Sequence, residues 1–166
     1  MGSGKTAVGQ MLASKIEVPF KDLDQEIEIM EGKTISEIFS EKGEIFFRKT
    51  EIKTLKDLLK DQNNLVLSTG GGTPCYSNVM DLLKTDKNCI TIYLNASLNT
   101  LTDRVYKEKD KRPLISHLTT KEELKDFIAK HLFERSFYYN QSSNKVITDG
   151  LSVEGVVSEI MKEIKE

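Results

Sequence analysis

The first residues of the chain carry the chemistry of a phosphate-binding loop. Gly2-Ser3-Gly4 is followed by Lys5 and Thr6, which matches the second half of the P-loop pattern Gly-x-x-x-x-Gly-Lys-[Ser/Thr]. In such a loop, backbone N–H groups surround the phosphates, the lysine reaches the β- and γ-phosphates, and the hydroxyl ligates Mg²⁺. Apolar residues then recur at helical spacing from Val8 to Ile16, as the motif requires. The pattern predicts a nucleotide-dependent phosphotransferase.

Two aspartates, Asp22 and Asp24, end a short predicted strand that begins near Phe20. Alternate residues of a strand face the same side, and open α/β sheets bind ligands at the carboxyl ends of their strands. Beside a P-loop, one carboxylate can hold Mg²⁺ and the other can orient or accept the proton of an attacking hydroxyl. The alternative is a solvated turn, because Asp is common at strand ends.

A run of three glycines, Gly70-Gly71-Gly72, directly follows the apolar segment Leu65-Val66-Leu67-Ser68. Because three consecutive residues lack a Cβ atom, the run indicates that a small ligand approaches bare backbone amides. The alternative is a flexible turn.

Three arginines stand in contexts that favour anion binding. Arg48 follows two phenylalanines on a predicted helix, Arg112 precedes a proline in a polar loop, and Arg135 precedes an aromatic group. A planar guanidinium suits carboxylate and phosphate, and a loop arginine can close over a transferring phosphoryl group. For each arginine the alternative is an ordinary surface charge.

The elements that would position these residues alternate along the chain between helical periods and short apolar runs. Strands are predicted near Phe20 and at 65–68, 89–94 and 145–148. Helices are predicted at 6–15, from Thr34 to Gly43, and at 45–60, 99–106, 120–138 and 153–164. This alternation predicts an α/β fold with a parallel sheet and helices on both faces, and the polar stretch at 107–118 is expected to be a mobile lid.

The composition fits one domain of 166 residues that needs no disulfides. Charged residues make up 30% of the chain, hydrophobic residues 38%, and the formal net charge is -2. No apolar run approaches the ~18 residues of a membrane span. Basic residues alternate with acidic ones instead of forming a basic block, which argues against a nucleic-acid partner. We therefore expect a soluble, cytoplasmic protein without a membrane or nucleic-acid partner.

In order and spacing, the motifs resemble the shikimate kinase family over almost the whole chain. The shared motifs are Gly-Ser-Gly-Lys-Thr, Asp-x-Asp, Phe-Arg, the triple glycine, Arg-Pro-Leu and Arg-x-x-Tyr. The resemblance implies a P-loop NTPase-like three-layer fold and transfer of the γ-phosphoryl of ATP to the 3-hydroxyl of shikimate with Mg²⁺. That reaction is a step in aromatic amino acid biosynthesis. We expect a monomer whose partners are shikimate and ATP.

The resemblance also implies a role for each motif residue. The catalytic residues would be Lys5, Asp24 and Arg112, and the Mg²⁺ ligands Thr6 and Asp22. The nucleotide would be bound by Gly2, Ser3, Gly4, Lys5, Thr6, Arg104, Arg112 and Val153, with Arg104 and Val153 beside adenine. Shikimate would be bound by Asp24, Arg48, Gly70, Gly71, Gly72 and Arg135, with helices at about 24–60 framing it and Arg48 and Arg135 on its carboxylate.

Members of this family begin with an apolar strand and a glycine ahead of the position of Met1. The first strand and first P-loop glycine are therefore expected to be missing here, with four of the family's five strands visible and further residues upstream in the cellular protein. Two alternatives stay open. One is a non-catalytic remnant that binds shikimate or nucleotide, and the other is a P-loop kinase of another small hydroxylated metabolite such as gluconate.

Overall fold

Helices and short strands alternate along the chain, as the sequence pattern predicts. The computed structural model describes residues 2–60, 64–108, 115 and 117–164. Within these residues the strands are Phe20–Asp22 (β1), Val66–Ser68 (β2), Ile92–Asn95 (β3) and Asn144–Ile147 (β4). The helices are Lys5–Lys15 (α1), Leu23–Glu31 (α2), Ile35–Lys60 (α3), Val79–Thr85 (α4), Leu98–Tyr106 (α5), Lys121–Tyr139 (α6) and Val153–Glu163 (α7).

The strands form two parallel pairs, and each pair belongs to one of two compact units. The first unit is Lys5–Val79, in which β1 pairs with β2 and Asp22 lies opposite Ser68. The second unit comprises the described residues among 1–4 and 80–166, and in it β3 pairs with β4. The parallel pairing predicted from the sequence is confirmed. Among the described residues it takes the form of two separate pairs.

The end of β1 is also the start of α2. The side chain of Asp22 accepts a hydrogen bond from the backbone N–H of Asp24 at 3.1 Å and so caps the helix. Asp24 therefore lies in the first turn of α2. The prediction that Asp22 and Asp24 share one face of a strand is wrong, because the capping bond ends the strand at the first of the two.

Helix α3 contains both of the helices predicted between residues 34 and 60. The capping box is present, since the Glu37 N–H donates to the Thr34 hydroxyl at 3.3 Å and the Glu37 carboxylate accepts from the Thr34 N–H at 2.8 Å. Gly43 has non-helical angles, with φ 79° and ψ 173°, and breaks α3 where the sequence predicts a stop. The segment after this break presents its buried face, which includes Phe47, Glu51 and Leu55, to the interior of the first unit.

The second unit has its own apolar core between α5 and α6. Its buried members are Ala96, Leu101, Val105, Ile115, Leu124 and Ile128. The predicted capping box at Thr120 and Glu123 is present and begins α6. Apolar side chains of α7 are buried in the same unit: Val156, Val157 and Ile160.

One predicted strand differs in the structure, and the predicted lid stays a prediction. The strand expected at 89–94 is shorter and later, and Ile90 before it is 57% exposed. The lid expected at 107–118 falls largely outside the described residues, and Arg112 falls outside them too. None of the helices in the described ranges is both long and apolar enough to cross a membrane.

Candidate active site

The glycine run after β2 lies against a carboxylate at one end and a guanidinium at the other. A Cβ atom on Gly70 would lie 3.5 Å from Oδ1 of Asp24 and 3.3 Å from Oε1 of Glu51. A Cβ atom on Gly72 would lie 3.0 Å from Nη2 of Arg48. A Cβ atom at Gly70 would press on Glu51 and one at Gly72 on Arg48, so each neighbour would have to shift by a few tenths of an ångström. The close approach that the run predicts is present, and it is made to protein groups.

A short 3₁₀ turn, Thr73–Cys75, holds the glycine run in place. The Thr73 N–H donates to the carbonyl of Gly70 at 3.2 Å, and the Cys75 N–H donates to the carbonyl of Gly72 at 2.9 Å. Both bonds lie within the loop, so they fix the backbone of the glycine run, which passes beside Asp24 and Arg48.

Asp24 lies in an environment that favours its neutral form. Burial raises the pKa of this carboxyl above the ordinary 3.8, and the negative charges of Asp22 and Glu51 raise it further, while Lys5 acts in the opposite direction. A carboxylate with a raised pKa is a stronger base than an ordinary one. Asp24 can therefore accept a proton from a hydroxyl placed beside the glycine run.

Arg48 is held by a carboxylate that the sequence analysis did not single out. Glu51 is 1% exposed and accepts one hydrogen bond from Nη1 of Arg48 and one from the Thr73 hydroxyl, both at 2.7 Å. Burial lowers the pKa of Arg48, but the hydrogen bond and charge of Glu51 outweigh it and the pKa is raised. Arg48 therefore stays charged, as binding an anion requires.

The sequence contains a signal for Glu51. It follows Arg48 by three residues on a helix, so the two side chains are neighbours, and it belongs to the face that also carries the buried Phe47 and Leu55. A glutamate on an apolar helical face needs partners, and an arginine one turn away supplies one.

The predicted metal ligands lie together at the start of the first unit. The hydroxyl of Thr6 in α1 donates to Oδ2 of Asp22 at 3.4 Å, while Oδ1 of Asp22 caps α2. A hydroxyl and a carboxylate oxygen suit Mg²⁺, which commonly takes one or two protein oxygens and completes its shell with water and phosphate. No group of three or more His, Cys, Asp or Glu side chains arranged to hold a metal occurs among the described residues. The donors present therefore fit a shared protein and phosphate site for Mg²⁺.

Lys5 is the first residue of α1, and the N-terminal end of a helix favours anions. The residues before it belong to the second unit, in which Gly2 has a positive φ of 71°. A Cβ atom on Gly2 would lie 2.6 Å from Cγ2 of Val105, so this residue packs against α5. Ser3 and Gly4 lie between Gly2 and Lys5 in the P-loop motif.

The residues predicted beside adenine lie in the second unit, where a carboxylate ties two of its elements together. Asp149, after β4, accepts hydrogen bonds from the backbone N–H and hydroxyl of Ser97, at 2.9 and 2.7 Å, and from the Thr100 hydroxyl. These bonds lower the pKa of Asp149, and the charge of Arg104 lowers it further. Arg104 lies in the last turn of α5, and Val153 begins α7. The start of α5 is thus fixed to the loop that leads to α7.

The structure distributes the predicted site residues over the two units. In the first unit lie Lys5, Thr6, Asp22, Asp24, Arg48, Gly70, Gly71 and Gly72. In the second lie Gly2, Ser3, Gly4, Arg104, Arg135 and Val153. Arg135 is half-buried on α6. The residues of α2, α3 and the glycine run that are predicted to bind shikimate thus lie within one unit.

Comparison with known proteins places this arrangement among small-molecule kinases. A family model described as shikimate kinase matches residues 1–165. A shikimate kinase of Flavobacterium psychrophilum is 46% identical over 162 residues, which cover 98% of this chain and 93% of that protein.

Solved structures give the same result. A shikimate kinase from Bacteroides thetaiotaomicron has a TM-score of 0.91 and 34% identity, covering 100% of this chain and 94% of that one. A shikimate kinase from Acinetobacter baumannii, solved in complex with shikimate, has a TM-score of 0.83 and 32% identity, with 99% and 88% covered. The fold class expected from the sequence is confirmed. None of these relatives is named as a kinase of another metabolite or as a non-catalytic protein.

Proposed function

We propose that this chain, which belongs to the shikimate kinase family, transfers the γ-phosphoryl group of ATP to the 3-hydroxyl of shikimate. The family makes it an ATP-dependent phosphotransferase. One observation carries the assignment of residues: the glycine run has the Asp24 carboxylate at its Gly70 end and the Arg48 guanidinium at its Gly72 end. A hydroxylated carboxylic acid such as shikimate needs a carboxylate to accept a hydrogen bond from its hydroxyl and a guanidinium to bind its own carboxylate, held close together.

Asp24 serves the reacting hydroxyl in this proposal. Its carboxylate accepts the hydroxyl proton as the oxygen forms a bond to the γ-phosphorus and the bond from that phosphorus to the bridging oxygen of ADP breaks. Support comes from its raised pKa, which burial and the neighbouring carboxylates cause. General-base assistance of this kind contributes about 10²–10⁴-fold to rate.

Arg48 binds the carboxylate of shikimate, and Arg135 has the second role on that carboxylate that the resemblance implies. Support for Arg48 comes from its bond to the buried Glu51, which orients the guanidinium, and from the room that Gly72 leaves beside Nη2. The N–H groups of Gly70, Gly71 and Gly72 are assigned to the shikimate hydroxyls.

The nucleotide is assigned to the residues that the resemblance implies. Lys5 and the N–H groups of Gly2-Ser3-Gly4 bind its phosphates, and Thr6 and Asp22 hold Mg²⁺. The metal, when bound, supplies positive charge that stabilises the transferring phosphoryl group. Arg104 and Val153 contact adenine.

The remaining parts of the proposal rest on the resemblance. Residues 1–166 form one kinase domain, helices at about 24–60 frame shikimate, and a lid at about 107–118 carries Arg112 to the phosphates. The enzyme is a cytoplasmic monomer. Size-exclusion chromatography with light scattering checks the last point, and a mass twice that of the chain would overturn it.

Product identification tests the proposed reaction. The chain is incubated with MgATP and either shikimate or gluconate, ADP is measured by a coupled assay, and the product is examined by mass spectrometry and ³¹P NMR. We expect ADP release with shikimate alone, and a phosphate ester at its 3-position. ADP release with gluconate and not with shikimate would assign the chain to another substrate. Shikimate binding by calorimetry without any turnover would make it a binding protein.

A further inference from the structure

The guanidinium of Arg48 has an aromatic ring over it that the proposed function does not use. The Cζ atom of Arg48 lies 4.0 Å from the ring centroid of Tyr76, which follows the 3₁₀ turn after the glycine run. Phe47 lies farther away, with its centroid 5.0 Å from the same atom. A ring at this distance attracts the cation and opposes its rotation out of plane.

Tyr76 is itself fixed through its hydroxyl. The hydroxyl donates to Oε1 of Glu44 at 2.5 Å, and the same oxygen lies 3.6 Å from Nε of Arg48. Glu44 directly follows Gly43, the residue that breaks α3. The carboxylate therefore bonds to the phenol while it remains within reach of the guanidinium.

Each nitrogen of the Arg48 guanidinium has a different neighbour. Nη1 donates to Glu51, Nη2 lies beside Gly72, and Nε is buried without a hydrogen-bond partner although Glu44 is near. The Glu44 oxygen that accepts the bond from the phenol lies 3.6 Å from Nε, which is within ion-pair distance but beyond hydrogen-bonding distance. A Glu44 that moved onto Arg48 would compete with an incoming carboxylate for the same cation.

We propose that Tyr76 is a positioning residue for the carboxylate of shikimate, which it serves by covering one face of Arg48 with its ring and by holding Glu44 away with its hydroxyl. The inference rests on the proposed role of Arg48. The roles of the ring and of the hydroxyl can be tested separately, because replacing Tyr76 with phenylalanine keeps the ring and removes only the hydroxyl.

The test measures steady-state kinetics and calorimetric shikimate binding for Y76F, Y76A and Y76F/E44A. Y76F should raise KM for shikimate about threefold, the size expected for one lost hydrogen bond. Y76A should raise it about tenfold or more, since the ring is lost as well. KM for ATP should not change, and kcat should stay within about twofold of the unmodified protein, because a positioning role in ground-state binding moves KM alone. Adding E44A to Y76F should bring KM for shikimate back towards its starting value.

Two controls keep the outcomes separate. Y93F removes a phenol in the second unit, where Tyr93 packs on Tyr139, and should change neither KM. R48A reports on the proposed function: if R48A leaves shikimate affinity unchanged, the role of Arg48 itself is wrong. If R48A abolishes binding while Y76F and Y76A keep KM for shikimate within twofold, or raise both KM values together, Tyr76 has only a structural role and the inference is overturned.

Discussion

Asp24 shows how burial and neighbouring charges change the acidity of an ordinary carboxyl group. Burial raises the pKa of Asp24, and the negative charges of Asp22 and Glu51, both within electrostatic reach of it, raise that pKa further. Glu51 is compensated by Arg48 and Thr73, and Asp22 by the helix it caps. The fold disfavours the charged form of Asp24, as is common for carboxyl groups at functional sites.

The variant D24N should lose activity and gain stability at neutral pH. Because the folded pKa is raised above the ordinary 3.8, the stability linked to this group is fully present below pH 3.8 and is lost as pH rises through the raised value. Asparagine cannot ionise, so the variant should have a higher Tm than the unmodified chain at pH 7, and the difference should disappear towards pH 3.8. Loss of the base should lower kcat by about 10²–10⁴-fold.

Thermal unfolding across pH and steady-state kinetics measure both effects. The control is D57N, which removes an exposed carboxylate from α3 and should leave kcat and the pH dependence of Tm unchanged. An unchanged or lower Tm for D24N at pH 7 would show that Asp24 is not destabilised in the folded protein.

Glu51 should matter for both stability and shikimate binding. E51A leaves the guanidinium of Arg48 without its buried partner, and a broken buried pair costs about 3 kcal/mol of unfolding free energy. KM for shikimate should rise as well, while E51Q, which keeps an acceptor oxygen, should lose less of both. Urea unfolding with kinetics gives the two values. The control E159A breaks the exposed pair with Lys162 and should cost less than about 1 kcal/mol.

At the scale of elements, the glycine run acts as a spacer between two helices that carry charge. G72A places a Cβ atom 3.0 Å from Nη2 of Arg48, and Glu51 prevents that side chain from yielding freely. KM for shikimate should rise on the order of tenfold or more, since small misplacements of a binding group are costly.

Kinetics and Tm of G72A, compared with those of G155A, check this prediction. A Cβ on Gly155 meets only ordinary contacts of 3.5 Å or more within the turn before α7. G155A should leave KM for shikimate unchanged and raise Tm, as alanine usually does in a helix. An unchanged KM in G72A would mean that the run does not constrain Arg48.

The elements that local chemistry determines were predictable from the sequence, and those that depend on partners were less so. The capping boxes at Thr34 and Thr120 and the break at Gly43 lie where the pattern places them. Helix α2 lies within the helices at about 24–60 that the resemblance implies, but the residue pattern does not predict it, because glutamate and isoleucine alternate from Glu26 to Ile29 with the period of a strand. The capping bond from Asp22 and the full burial of Ile27 outweigh that local pattern.

At the scale of the whole molecule, the residues assigned to shikimate through α2, α3 and the glycine run lie in one unit, whereas those assigned to adenine lie in the other. Because Arg104 is assigned to adenine, its loss should affect one substrate only. R104A should raise KM for ATP about tenfold by removing a cation stacked on the base, with KM for shikimate unchanged. K125A, which removes an exposed cation from α6, is the control. A rise in KM for shikimate alone would contradict the assignment of Arg104.

Much of the candidate site was accessible from the sequence, because each motif residue has a recognisable chemistry. Residues whose function depends on contacts were not. Thr73 and Tyr76 resemble ordinary residues until the turn after the glycine run places Thr73 against Glu51 and Tyr76 over Arg48, and the signal for Glu51 is only its position one turn after Arg48. Arg112 lies outside the described residues, so its role stays a prediction.

The most direct test asks whether Arg48 and the substrate carboxylate recognise each other. The quantity is kcat/KM for the unmodified chain and for R48A, each measured with shikimate and with its methyl ester. Removing the cation or the anion alone should each lower kcat/KM on the order of 10²-fold, since each leaves a charge unpaired, and removing both should cost little more than removing one. The proposed site would be contradicted if the two losses in kcat/KM multiplied when both charges are removed. It would also be contradicted if R48A were as active on shikimate as the unmodified chain.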